Sequence, residues 1–169
     1  IDFAAWYADR AEELESVDGA QFVPPRVTVV TPPWNFALSI TAGSTLAALA
    51  AGSPVLLKPA PQARHCAAVI AECLWEAGIP RDVLQLVDVE ENEAGKHLVS
   101  HPEVDRVILT GAWETAKLFR SWRHDLPVLA ETSGKNSIIV TENADYDLAA
   151  ADIIKSAFGN AGQKCSAAS

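Results

Sequence analysis

Five short apolar runs, each parted from the next by a segment long enough for a helix, constrain this chain more than any other feature. They are residues 26–31 (RVTVVT), 54–58 (PVLLK), 83–87 (VLQLV), 106–109 (RVIL) and 128–130 (VLA); a sixth run, 137–140 (SIIV), follows without an intervening helix. Successive apolar residues, rather than alternating ones, mark strands buried on both faces. Strands of that kind, alternating with helices, belong to a parallel sheet sandwiched between helix layers, so the expected class is α/β. Expected helices cover 1–16, 36–51, 62–77, 91–100, 112–122 and 147–161. The breaks between elements carry a chemical reason. Gly19 and Pro24-Pro25 end the first helix, Pro32-Pro33 breaks the first strand, Gly52 stops the second helix, and Gly78 with Pro80 closes the third.

Composition narrows the function classes. A chain of 169 residues, 49% of them hydrophobic, can bury a sizeable core. A net charge of −9 argues against a nucleic-acid partner. Three cysteines, an odd number, do not suggest a disulfide framework, and they favour a reducing, cytoplasmic setting. Cys66 and Cys73 fall on the helix 62–77 beside His65. No CxxC or HxxxH pair falls on that helix, so packing rather than a metal site is expected there. The first residues lack a basic stretch, so no signal peptide is expected. The longest apolar run, 36–51, is interrupted by Ser39, Thr41, Gly43, Ser44 and Thr45 and is too short and polar to span a bilayer.

In a parallel sheet with helices on its faces, ligands bind beyond the carboxyl ends of the strands. The turns to search are therefore 31–36, 58–62, 87–95, 110–116 and 131–136. Asn35 offers either an amide donor into a cleft or an N-cap for the helix that follows. Lys58, at a strand end, is either solvated or in reach of a phosphate or sugar. Gly111 would let a pyrophosphate approach backbone N–H groups and a helix dipole, although no G-x-G-x-x-G run is present. Glu131 follows an apolar strand as a candidate base or a surface residue. Cys165 lies among small neighbours, Gly159, Gly162 and Ser166, and is either a nucleophile or a small buried thiol.

Taken together these groups describe acyl transfer. Cys165 would attack a carbonyl carbon, and Asn35 with the Cys165 backbone N–H would form an oxyanion hole. Hydride would leave for a nicotinamide, and Glu131 would activate water against the resulting thioester. That the turns converge is inferred from the sheet topology.

Pro33-Trp34-Asn35-Phe36, Lys58-Pro59-Ala60, Thr110-Gly111, Glu131-x-x-Gly134-Lys135 and Gly162-Gln163-x-Cys165 stand in an order and spacing similar to the aldehyde dehydrogenase superfamily. The chain resembles that family over essentially its whole length. The resemblance implies a Rossmann-like parallel sheet with helices on both faces, cut short near the catalytic cysteine. It implies a partial NAD(P)-binding domain over 1–160 and the start of a catalytic domain over 161–169. By resemblance Cys165 is the nucleophile, Glu131 the general base and Asn35 the oxyanion donor. Thr31, Pro32, Pro33, Trp34, Lys58, Gly111 and Thr132 would contact the cofactor, and no metal is implied. The runs Leu118-Phe119-Arg120-Ser121-Trp122, Leu129 to Asn136 and Gly162 to Ala167 look like the Δ1-pyrroline-5-carboxylate dehydrogenases, above all the dehydrogenase module of bifunctional proline-utilisation enzymes. That branch oxidises L-glutamate γ-semialdehyde to L-glutamate with NAD, and Ser166 would help anchor the substrate carboxylate.

Some positions depart from the family pattern. Pro61 stands where many relatives carry a glutamate that bonds the ribose hydroxyls, which leaves NAD against NADP open. Ala112 and Ala116 replace a common Ser and Gly, so backbone must serve the pyrophosphate. Family members are several times longer, which implies a piece of a longer chain, inactive alone, whose parent is a homo-oligomer and a candidate for fusion to a proline dehydrogenase module. The alternatives are a dehydrogenase of another semialdehyde or general aldehyde, and a non-catalytic nucleotide-binding piece.

Overall fold

A computed structural model describes residues 2–90 and 92–169; Ile1 and Glu91, placed by the sequence at the first positions of two helices, lie outside the described residues. The chain divides into two compact units, residues 1–132 and 133–169.

The first unit runs through α1 (Asp2–Glu13), β1 (Thr28–Thr31), α2 (Ser39–Ala50), β2 (Val55–Leu57), α3 (Arg64–Glu76), β3 (Leu84–Leu86), α4 (Glu93–Ser100), β4 (Arg106–Gly111), α5 (Trp113–Trp122) and β5 (Val128–Thr132). The strands form one sheet in the order β3-β2-β1-β4-β5, and every pairing is parallel. All four residues of β1 are buried. Successive side chains of a strand point to opposite faces. Val29 accordingly packs in a cluster with Val99 of α4, Val107 and Phe119 of α5. Val30 packs in a second cluster with Ala48 of α2, Leu57, Ala67 of α3 and Leu84. Helices thus cover both faces of the sheet, as expected for α/β architecture. Among the described residues no helix is long and apolar enough to cross a membrane.

The amino ends of β1 and β4 are held by charge. Arg26 donates from Nη2 to Asp105 Oδ1 at 2.7 Å and from Nη1 to Glu103 Oε1 at 3.1 Å, while its backbone N–H reaches Asp105 Oδ2 at 2.8 Å. Arg123 Nη1 donates to the carbonyls of His101 and Val104 at 2.9 and 2.6 Å. Side-chain hydrogen bonds from the Arg26 guanidinium pull Asp105 down to about 2 from 3.8.

Several boundaries differ from the sequence reading, each for a local reason. The helix expected from residue 36 begins at Ser39, because residues 35–38 form a turn. The strands at 106–109 and 128–130 run on to Gly111 and Thr132, because the parallel ladder continues through Thr110↔Glu131 and Gly111↔Thr132. The expected strand at 137–140 does not form. Among the described residues no neighbouring strand faces it, and Ile139 is 85% exposed. An apolar run becomes a strand only when a partner takes its backbone groups.

In the second unit α6 (Tyr146–Phe158) is capped by Asp145, whose Oδ1 accepts from the N–H groups of Asp147 and Leu148 at 3.1 Å each. The helix stops at Phe158 rather than 161, because Asn160, Ala161 and Gly162 take left-handed φ values of 57°, 53° and 72°. Left-handed backbone reverses the chain and delivers it to Cys165.

Two outcomes follow from these contacts. At Gly162 a Cβ would stand 3.1 Å from the Ala157 carbonyl oxygen, on top of the positive φ. Gly162→Ala should therefore destabilise the protein by about 1–2 kcal/mol, read as a lowered midpoint in denaturant unfolding. Asp105, depressed in the fold, contributes stability that is complete above the ordinary value of 3.8 and is lost as pH falls toward about 2. The gap in Tm between the wild type and Asp105→Asn should be widest near neutral pH and close on acidification; a constant gap would show that the Asp105 charge contributes nothing.

Candidate active site

The carboxyl edge of the sheet gathers most of the groups singled out in the sequence. In a 3-2-1-4-5 order the chain leaves β1 toward one side and later crosses to β4 on the other, so the connections diverge and open a crevice between β1 and β4. The register sets Thr31 opposite Leu109, one residue before Thr110-Gly111. Thr31 is buried, and its Oγ1 donates to the Ile108 carbonyl at 3.2 Å, so its hydroxyl is committed within the sheet. Pro32 and Pro33 are buried behind it. Proline has no N–H to extend the ladder, which ends β1 here. The chain then turns outward and presents Trp34, 48% exposed.

Asn35 lies in the turn 35–38, partly exposed, and Leu38 rather than Asn35 occupies the N-cap position of α2. Lys58 follows β2 directly; its backbone N–H donates to the Val30 carbonyl at 2.9 Å, and the Ala60 N–H donates to the Pro32 carbonyl at 3.3 Å. These two bonds hold the Lys58-Pro59-Ala60 segment alongside the end of β1. Gly111 closes β4 rather than opening the helix, and Ala112 is the N-cap of α5 with no side-chain hydrogen bond. A Cβ on Gly111 would meet only Leu109 Cδ1, at 3.5 Å, so the side above this residue is open. Backbone N–H groups at the start of α5 lack a side-chain acceptor, which suits an approaching anion. Glu131 and Thr132 end β5, paired to Thr110 and Gly111, and Glu131 is exposed.

Cys165 and Ser166 belong to the other unit. Both are exposed in a turn, and the Ala167 N–H donates back to the Lys164 carbonyl at 3.1 Å. The buried-thiol alternative for Cys165 is thus removed. Asn136 Nδ2 donates to the Cys165 carbonyl at 2.6 Å and to the Ala167 carbonyl at 2.9 Å. Nothing in the run Leu129 to Asn136 marks that contact by position. The signal lay in its residue type, since a side-chain amide can donate two hydrogen bonds from one nitrogen. Cys66 and Cys73 are exposed on α3 rather than packed inside, and among the described residues no cluster of three or more metal-ligating side chains occurs.

Comparisons with known proteins bear on the family and the fold. A 1-pyrroline-5-carboxylate dehydrogenase 2 of Bacillus subtilis is 41% identical over 187 aligned positions, covering 100% of this chain and 36% of that protein. The present chain thus spans about a third of the length of the curated relatives it matches. The structure of proline utilization A (PutA) from Corynebacterium freiburgense superposes with a TM-score of 0.96 at 54% identity, covering 99% of this chain and 18% of that one. An NADP-dependent glyceraldehyde-3-phosphate dehydrogenase from Bacillus halodurans, solved with NADP, gives a TM-score of 0.88 at 30% identity, covering 99% and 38%. The family model described as "Aldehyde dehydrogenase family" matches residues 1–169, and with the crevice at β1 and β4 and the exposed Cys165 turn in view, this chain belongs to the aldehyde dehydrogenase family.

Proposed function

We propose that the protein carrying this chain oxidises an aldehyde to a carboxylate with NAD(P), and that its substrate is L-glutamate γ-semialdehyde, converted to L-glutamate in proline catabolism. The observation that carries the reading is the gathering of Trp34, Asn35, Lys58, Gly111 and Glu131 at the carboxyl edge of a 3-2-1-4-5 sheet. Relatives named 1-pyrroline-5-carboxylate dehydrogenase that match the whole chain support the choice of substrate.

A dinucleotide fits the crevice on the chemistry of its lining. Open backbone above Gly111 and the uncapped start of α5 suit the pyrophosphate, and Lys58 suits the ribose. Trp34, the Thr31-Pro32-Pro33 backbone and Thr132 would complete the contacts. When bound, the cofactor supplies a hydride acceptor; NAD is the proposed form, with NADP as the alternative that Pro61 leaves open. The chain's own groups do the remaining work. The Cys165 thiolate adds to the aldehyde carbon. The Asn35 side-chain amide and the Cys165 backbone N–H donate to the oxygen on which charge develops. Ser166 holds the carboxylate of the substrate. Glu131 then takes a proton from water, whose oxygen attacks the thioester carbon and expels the thiolate.

In this assignment residues 1–160 serve the cofactor and 161–169 begin the catalytic portion, although the boundary between the compact units falls in the chain between Thr132 and Ser133. The full-length protein is proposed to be a homo-oligomer, joined to a proline dehydrogenase module as the likeness to proline utilization A suggests. A cytoplasmic location is supported by three exposed, unpaired thiols.

Reduced-nicotinamide formation by the full-length protein tests the reading. Pyrroline-5-carboxylate and a simple aliphatic aldehyde are offered side by side, each with NAD and NADP. Strong preference for the carboxylated substrate is expected; equal use of the simple aldehyde would discard glutamate semialdehyde. Asn35→Ala should lower kcat on the order of 100- to 1,000-fold, the usual loss for one oxyanion donor. Glu131→Gln should leave an initial burst of reduced cofactor and slow the steady state. Absence of the burst would move Glu131 from hydrolysis to an earlier step.

A further inference from the structure

Among the described residues none of 133–169 is buried, so the turn that carries Cys165 rests on no apolar core there. No residue of α6 or of the stretch Gly159–Gly162 is buried, and Cys165 and Ser166 are exposed. What holds the turn is a set of hydrogen bonds that converge on one residue. Asn136 Nδ2 donates to the carbonyls of Cys165 and Ala167, at 2.6 and 2.9 Å. Its own carbonyl accepts from the Ser169 N–H at 3.0 Å, and Asn136 forms an isolated parallel bridge with Ala168. From the other side Ser156 Oγ of α6 accepts from the Ala168 N–H at 3.1 Å.

The chemistry of the contact is specific to an amide. One nitrogen with two hydrogens satisfies two carbonyls of the four-residue turn Lys164–Ala167. The Cys165 carbonyl shares its residue with the thiol, so fixing that carbonyl fixes the rotation of the backbone from which Sγ projects. A carboxylate of the same shape has only acceptors and would face two carbonyl oxygens. A side chain without polar atoms would leave both carbonyls to solvent and release the turn, whose preceding left-handed residues already disfavour their conformation.

We propose that Asn136 is a positioning residue for the nucleophile: its side-chain amide clamps the Cys165–Ala167 turn and sets the direction from which the thiolate meets the aldehyde. The proposal rests on the assignment of Cys165 as nucleophile. It predicts that the residue acts on the chemical step and not on cofactor binding, because its hydrogen bonds among the described residues lie within residues 133–169.

The test uses the full-length protein with Asn136→Ala, Asn136→Asp and, as the control for the nucleophile, Cys165→Ala. Measured are kcat, the aldehyde KM, the Kd for NAD by tryptophan fluorescence, and the fraction of folded protein by thermal unfolding. Both Asn136 variants should lower kcat on the order of 100-fold, the usual scale of an ångström-sized misplacement. The aldehyde KM and the Kd for NAD should stay within about threefold, since uniform binding is untouched. If Cys165→Ala is inactive while Asn136→Asp keeps kcat within about twofold of wild type, the clamp is overturned and the nucleophile stands. If Cys165→Ala still oxidises aldehyde, the nucleophile assignment falls and the clamp with it. If kcat and the affinity for NAD fall together, or neither Asn136 variant folds, Asn136 belongs to fold stability and the proposal is overturned.

Discussion

Everything in the first unit depends on the parallel pairing of β1 with its two neighbours. Thr28, Val29 and Val30 lie opposite Val55, Leu56 and Leu57 on one side and Arg106, Val107 and Ile108 on the other. A strand bonded on both edges leaves no backbone group for solvent, so its side chains must serve both faces at once. Val29 and Val30 do so, each entering a different core cluster. The same arrangement creates the crevice, because the chain leaves β1 in one direction and returns on the opposite flank. Pro32 and Pro33 end the ladder at the point where the crevice begins. The stability of the sheet and the location of its binding edge are therefore two results of one pairing.

The two ends of that sheet are built differently. At the amino end, Arg26 and Arg123 tie loops to the strands through carboxylates and carbonyls. Such ties restrain the β1 and β4 entrances. At the carboxyl end, Trp34 is exposed, α5 begins without a side-chain cap, and the side above Gly111 is open. Rigid entrances and unsatisfied exits suit a binding edge, since backbone donors left unpaired in the free protein can be given to a ligand.

The second unit follows another physical logic. Its turn at Cys165 is fixed by polar contacts from Asn136 and Ser156 and by three left-handed residues in succession. Hydrogen bonds are directional, so they orient a reactive group more sharply than a non-directional apolar contact. They also contribute only about 0.5–1.5 kcal/mol each, so such a turn is held without being deeply stabilised. The nucleophile proposed at Cys165 would need orientation and access together, and a buried core would provide the first at the expense of the second.

The sequence by itself determined the class of fold and the edge that matters. Mostly apolar runs such as 26–31 and 54–58, set between helix-length segments, read as strands covered on both faces, and prolines and glycines at 32–33, 59 and 78 mark where those strands and helices stop. Because ligands of parallel sheets lie at carboxyl ends, Asn35, Lys58, Gly111 and Glu131 were legible as candidates before any contact was known. Element ends were less legible. Gly111 and Thr132 joined strands because a neighbouring ladder reached them, while 137–140 stayed unpaired for want of one. Only the tertiary structure decided the strand order, the exposure of all three cysteines and the grip of Asn136 on the Cys165 turn. The physical reason is range: periodicity and turn chemistry act between residues a few positions apart, whereas the Asn136 amide and the carbonyls it holds are separated by 29 and 31 positions and meet only when the chain has folded.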